Sequence, residues 1–354
     1  MVAEWESQSV ILMAFPDDST DWANIIDAAR NQFARLADAI IKNGGKVVML
    51  ARNPESTWKY LAEVINDEGL MEKSITLIPL EFNDTWTRDY GPISVLEKDA
   101  NEVESATAVD FGFNAWGLKF AADLDNTIGL RLIQKGVIKK DCYRNERGLI
   151  LEGGSLETDG EGTMLTTSEC LLNVNRNPGL SKHDIEKYLY DILGIDRVLW
   201  LDHGHIDGDD TDSHIDTLCR LAPGNTILYT GSTQGSNGQR ESLKKMEQQL
   251  RTFQTRGGNP YNLLELPLPK PIKDDDGHAL GATYANFLVM TEAVLVPTYG
   301  DKECDDKAIE VIKQAYPDRK IIGVDCRTLI MQGGSLHCST MQIIPGLLNE
   351  NFEG

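Results

Sequence analysis

Apolar and polar positions alternate with two different periods along the whole chain, a helical one and a strand-like one. Short apolar runs at 10–15 (VILMAF) and 46–51 (KVVMLA) predict strands. Between them, residues 24–42 carry apolar side chains at helical spacing, and Gly44-Gly45 supplies the stop. A second helix is predicted at about 55–66, followed by the strand SITLIPLE and by FNDTWTRDYGPISVLEKD, where Gly91-Pro92 breaks the run before another strand. Residues 123–136 read as helix, LILEGG at 149–154 as a strand ending in two glycines, and TMLTTSECLLN as one further strand or two. Then come helix 181–194, strand RVLWLDH, the segments IDTLCRL and TILYT, helix 239–256 and NLLELPL. YANFLVMTEAVLVPTYG, helix 303–316, strand KIIGVDC and GGSLHCSTMQIIP finish the series.

Each unit therefore reads as helix, strand, short polar motif, strand. Two units share a literal echo, LEGGSLE at 151–157 and MQGGSLH at 331–337. Polar motifs at Asp89, Glu152, His214, Asn286 and Cys338 recur roughly every 50–70 residues, a repeat-scale spacing. Five such units set in a ring would aim all five motifs at one axis. The plainer alternative is a mixed α/β fold in which a four-letter echo is chance. No linker interrupts the pattern. KPIKDDDGH at 270–278 is a turn-prone loop inside a unit, so one domain over 1–354 is expected.

Composition narrows the classes. The 354 residues are 41% hydrophobic and 25% charged, as in a globular protein. No stretch approaches the ~20 apolar residues of a membrane span. The segment MVAEWESQSVILMAF places acid before a short apolar run, unlike a secretory signal, so a cytoplasmic protein is expected. The net charge of -21 argues against nucleic acid. It suits a small cationic substrate, or serves solubility alone. A homo-oligomer is compatible with all of this. The six cysteines are scattered without a CxxC pair and read as reduced thiols, of which one could be chemical.

Five segments offer chemistry. In GGSLHCST (333–340) two glycines permit close approach of a ligand, and Cys338 follows His337 directly. A lone cysteine is more often an inert buried residue. In HGHIDGDDTDSHIDTL (203–218), His214 and Asp216 are two apart, which on an extended strand puts them on one side. They could pair an acid/base with a carboxylate for a cation. Alternatively, His203, His205 and His214 with nearby aspartates could hold Zn²⁺. In NDTWTRDYGP, Trp86 and Asp89 could form a flat apolar wall beside a carboxylate, or Trp86 is core and Asp89 pairs with Arg88. Glu152 emerges from an apolar strand, either to solvent or into a site. Asn286 in TYANFL would ordinarily satisfy backbone groups.

Together and in this order, NDTWTRDYGP, LEGGSLETDGEGTMLTTSECLLNVNRNP, SHIDT, YANF and GGSLHC resemble the agmatine deiminase/bacterial-type peptidylarginine deiminase family of the guanidino-group-modifying (pentein) superfamily. The resemblance runs over nearly the whole chain. It implies a pseudo-fivefold α/β propeller, in keeping with the repeats. It also implies a nucleophilic Cys338, a general acid/base His214, and guanidinium-gripping carboxylates Asp89 and Asp216. Glu152 would support His214 and the substrate, Trp86 would pack on the substrate's aliphatic stem, and Asn286 would lie near the site. No metal or other cofactor is required. The implied reaction turns agmatine and water into N-carbamoylputrescine and ammonia, a step toward putrescine. Arginine or peptidylarginine deimination is the alternative, and it would need a cation for the substrate carboxylate, for which Arg88 and Arg176 are present. The rivals are a metal-dependent hydrolase built on the three histidines and a guanidine-binding protein without turnover. One departure concerns Ser213, where many relatives have Gly. A backbone that only glycine favours would displace His214, whereas the simpler reading is that serine is tolerated there.

Overall fold

The computed structural model describes residues 1–8, 10–98 and 104–353. Among the described residues the strands form six sheets, and five share one plan, an antiparallel edge pair continued by a parallel pair. The first sheet runs Met341–Ile343, Val10–Ala14, Val47–Ala51, Ile75–Pro79. The second is Ile93–Lys98, Glu104–Gly112, Tyr143–Ile150, and the third Glu157–Thr158, Thr163–Thr167, Arg197–Leu201. The fourth is Cys219–Ala222, Thr226–Thr230, Asn262–Leu266, and the fifth Leu288–Val289, Ala293–Thr298, Lys320–Asp325. The sixth is a small hairpin of Ile272–Lys273 with Ala279–Leu280.

A parallel pair needs a crossover, and each predicted helix supplies one. Ile26–Lys42 connects the two central strands of the first sheet and buries Ala29, Phe33, Leu36, Ala37 and Ile40 on one stripe. Pro54–Val64 starts under an Asn53 side-chain cap with proline in its first turn. Lys182–Leu193 begins in a Ser181/Asp184 capping box and stops at Gly194 in the left-handed region. Asn237–Leu250 and Lys302–Ala315 serve the fourth and fifth sheets.

Backbone proximity groups the chain into two compact units. One comprises Met1–Gly153, Met290–Glu292 and Cys338–Gly354, and contains the first and second sheets. Its core is built on Val10–Ala14 and Val47–Ala51, every residue of which is buried, as their unbroken apolar runs require. The other unit comprises Gly154–Val289 and Ala293–His337, with the remaining sheets. Here the buried guanidinium of Arg220 ties three edge strands together. It donates to Glu157 Oε2 at 2.6 Å and Phe287 O at 2.6 Å, and stacks over the Phe287 ring.

Three local expectations change. TMLTTSECLLN is a strand only to Thr167, because the Thr167 hydroxyl caps Cys170 N and opens the helical turn Ser168–Leu171. The strand at LILEGG ends at Ile150, so Glu152 stands beyond it. SHIDT is not extended. His214 precedes a tight turn, Ile215–Thr217, closed by Thr217 N and Oγ1 donating to His214 O at 3.2 and 2.8 Å. Strand alternation therefore does not relate His214 to Asp216. Among the described residues no helix is long and apolar enough to cross a membrane.

Candidate active site

Each of the five spaced motifs occupies the same place relative to a sheet, the link entering its antiparallel edge strand. Asp89 lies in the helical turn Thr87–Tyr90 ahead of Ile93–Lys98. Glu152 precedes the Gly153–Ser155 turn and Glu157–Thr158. His214 and Asp216 precede Cys219–Ala222, Asn286 precedes Leu288–Val289, and Cys338 precedes Met341–Ile343. The GGSL echo falls in two of these links. A chain leaving one sheet for the next loses its ladder partners, so polar side chains must satisfy its backbone.

In the first unit Trp86, Asp89, Glu152 and Cys338 are all buried. Trp86 packs on Trp22 at 5.6 Å, and Trp22 donates its indole N–H to Thr85 Oγ1 at 2.9 Å. Arg88 N donates to Cys338 O at 3.2 Å. Gly153 sits so close to the same residue that a Cβ would meet Arg88 O at 2.2 Å. The Asp89, Glu152 and Cys338 segments thus meet at one backbone junction, and only glycine fits at 153. The Arg88 guanidinium is used internally, on Glu4 Oε1 at 3.1 Å and on Gln342 Oε1.

Below this motif lies a reciprocal clamp. Asp125 accepts Asn83 N at 2.6 Å and Asp84 N at 3.1 Å, while Asn83 Oδ1 accepts Leu124 N at 2.8 Å and Asp125 N at 3.0 Å. Burial pushes Asp125 up to about 8 and Asp84 up to about 7, and the N–H groups they accept only partly offset it. Beside the clamp, Trp116 donates its indole N–H to Asp89 Oδ2 at 2.9 Å. Trp116 belongs to a turn of left-handed helix: φ is 52, 53, 84 and 70° at Ala115, Trp116, Gly117 and Leu118. Leu118 N and Lys119 N donate four residues back, at 2.8 and 3.0 Å. That conformation costs roughly 1–2 kcal/mol for each non-glycine residue.

In the second unit His214, Asp216, Asn286 and His337 are almost fully buried. His337 Nδ1 lies 2.7 Å from Asp216 Oδ2, and His337 N donates to Asn286 Oδ1 at 2.9 Å. Asn286 Nδ2 reaches Asp216 O at 3.4 Å. Burial pushes the Asp216 carboxyl up, but the hydrogen bond and charge of His337, backed by His214 and Arg220, hold it below the ordinary carboxylate range. The ionised form of Asp216 is thus favoured by its partners despite its burial.

The loop before His214 is strained, with φ of 64° at Asp212 and 61° at Ser213. The side chains around it compensate. Ser213 Oγ donates to Glu169 Oε2 at 3.0 Å and also lies 3.2 Å from Gly204 O, while Ser213 N donates to Asp209 Oδ2 at 2.9 Å. Arg176 donates to Asp212 Oδ2 at 2.6 Å and Thr211 O at 2.8 Å. Thr211 Oγ1 accepts from His214 N at 3.1 Å. Position 213 therefore does adopt the conformation glycine favours, and serine is held there by its own hydroxyl.

The three histidines considered for zinc do not gather. His203 and His205 are exposed while His214 is buried, and among the described residues their ring nitrogens form no common metal-ligating group. Sequence reasoning gave no role to His337 or Trp116. His337 finds Asp216 across 121 residues of chain, and Trp116 reaches Asp89 from an adjoining strap, so neither pairing leaves a local pattern.

The first unit thus holds a buried cysteine ahead of an edge strand and a tryptophan–aspartate turn, and the second a carboxylate paired with a histidine. The chain belongs to the Porphyromonas-type peptidyl-arginine deiminase family, whose model it matches over residues 1–344. Agmatine deiminase of Medicago truncatula is 30% identical to it, with 97% of this chain and 95% of the relative covered. A cysteine-to-serine form of C. jejuni agmatine deiminase, solved with substrate bound, is 36% identical over 98% of this chain and 96% of that one, with a TM-score of 0.84. A Porphyromonas gingivalis chain, provisionally assigned as an arginine deiminase, is 40% identical over 98% and 99%, with a TM-score of 0.88.

Proposed function

We propose that this chain is an agmatine deiminase, hydrolysing agmatine to N-carbamoylputrescine and ammonia. The observation that selects agmatine over arginine is the state of the two candidate cations. Arg88 is spent on Glu4 and Gln342, and Arg176 on Asp212 and Thr211. Agmatine lacks the carboxylate that either arginine would have had to hold. The net charge of -21 favours a doubly cationic substrate in the same sense. Arginine deimination, favoured by the likeness to the P. gingivalis chain, is the competing reading.

In the proposed mechanism Asp89 and Asp216 grip the planar guanidinium by charge-assisted hydrogen bonds and fix its orientation. Trp86 packs on the aliphatic stem, with Asn286 holding the Asp216 segment. The Cys338 thiolate attacks the guanidinium carbon, forming a C–S bond and a tetrahedral adduct. His214, supported by Glu152, protonates the departing nitrogen, which leaves as ammonia. Water deprotonated by His214 then attacks the S-alkylthiouronium, and sulfur leaves as the urea forms. The C. jejuni relative solved with substrate bound is a cysteine-to-serine form, which supports a cysteine nucleophile here. The five sheets of like plan support a pseudo-fivefold α/β propeller, and our reading of the chain is one cytoplasmic deiminase domain.

The test is ammonia release from agmatine, free arginine and a peptide ending in arginine, by the wild type and by Cys338→Ala. Agmatine turnover that disappears in the variant is the expected result. Preference for arginine or the peptide would overturn the substrate, and undiminished turnover in the variant would overturn the mechanism.

A further inference from the structure

We infer that Trp116 is a positioning residue for guanidinium recognition, its indole N–H fixing the Asp89 carboxylate in the plane that receives the substrate. The inference rests on the deiminase reading and adds a residue to it. Three observations carry it. The indole N–H points at Asp89 Oδ2, 2.9 Å away, and Asp89 is itself buried. The Trp116 ring already has edge contacts with Phe113 and Phe120, at 5.2 and 5.7 Å, which a phenylalanine would make as well. Packing therefore does not explain the indole.

The backbone is the third observation. A run of four left-handed residues is disfavoured for L-amino acids and persists only where its surroundings over-determine it. Here they do. Asn114 Oδ1 accepts Gly117 N at 3.0 Å, Phe113 N donates to Asn126 Oδ1 at 2.9 Å, and the Asn83–Asp125 clamp holds the far end of the strap. What this arrangement delivers is one N–H to one carboxylate. A guanidinium presents its N–H groups in a single plane, so a carboxylate that turned freely about its χ2 would lose the paired geometry. A fixed donor on one oxygen sets that torsion and steadies the anion before substrate arrives.

The test has two arms. Isotope-edited indole N–H spectra are recorded for the wild type, with Trp116→Phe assigning the Trp116 resonance by its disappearance. Asp89→Asn should move that resonance, as should guanidinium ion added at low millimolar concentration to the wild type. In the kinetic arm, Trp116→Phe should lower kcat/KM for agmatine about 10- to 100-fold, the range for loss of one hydrogen bond to a charged group, with little change in melting temperature. A Trp116 resonance unmoved by Asp89→Asn, or unchanged kcat/KM in Trp116→Phe, would overturn the inference. Should Trp116→Phe fail to fold, the resonance is assigned by selective labelling and the Asp89→Asn arm decides. A wild type that releases no ammonia from agmatine would sink the proposed function, while the spectra would still decide the role of Trp116.

Discussion

Ser213 offers a test in which shrinking the side chain further should do less harm. The residue is buried, holds φ at 61°, and donates its hydroxyl within reach of Glu169 and Gly204 O. Ser213→Ala keeps the strained backbone and removes the hydroxyl, whose single O–H donates to the Glu169 carboxylate, so the loss is roughly 1.5–3 kcal/mol. Ser213→Gly loses the same contacts. It also regains the left-handed strain, about 1–2 kcal/mol, against about 0.4–1 kcal/mol for the freer unfolded chain. Glycine should therefore be more stable than alanine by about 0.5–1 kcal/mol. Ser213→Val, β-branched at positive φ, should be the least stable of the three. Urea unfolding followed by tryptophan fluorescence gives the free energies, and ammonia release shows whether His214 keeps its place. An order in which alanine equals or exceeds glycine would refute the claim that strain at 213 is real and is offset by the hydroxyl.

Other expectations are as specific. Gly153→Ala would set a methyl 2.2 Å from Arg88 O, so the junction must shift; a stability loss of about 1–3 kcal/mol and a larger fall in kcat are expected by chemical denaturation and activity. Arg176→Met leaves Asp212 without its guanidinium beside the His214 loop, and a loss of about 3 kcal/mol is expected, with partial recovery in Arg176→Met/Asp212→Asn. Asp125 has a folded pKa raised to about 8 by burial, against an unfolded value of about 4. Its contribution to stability is fully present below about pH 4 and is lost as pH rises through about 8, since the folded state there holds the extra proton. Asp125→Asn should flatten the fall in unfolding free energy across that window, and an unchanged slope would count against the burial argument.

How far the sequence reveals this molecule depends on the range of the interaction. The strand VVMLA and the helix over 26–42 are local patterns, set by apolar period and by Gly44-Gly45, and they form where the pattern predicts. The recurrence of polar motifs was legible for a related reason: each stands at the same step of a repeated sheet plan. The shape of SHIDT was not legible, because the strained backbone leading into its turn is held by bonds from Thr211, Arg176 and Asp209, partners that its own alternation does not show. The arginines were misleading for the opposite reason. A cation in the sequence looks available for a ligand, and only the fold shows Glu4 and Asp212 already on them. Trp116 was invisible because AWGL carries no sign that three of its non-glycine residues will turn left-handed.

The first sheet has a consequence for how the protein comes into being. Val10 pairs with Ile343, so strands 333 residues apart in sequence (343 − 10) lie side by side. At a synthesis rate of about 5–20 residues per second, the early strand waits roughly 17–67 s for its neighbour. Until then Val10–Ala14 can pair only toward Val47–Ala51, and its other edge stays open to any passing strand. The stretch that finally closes it, Met341–Ile343, is the one that anchors Cys338. A circular permutant that joins these two strands early should therefore show Cys338 thiol reactivity sooner in refolding.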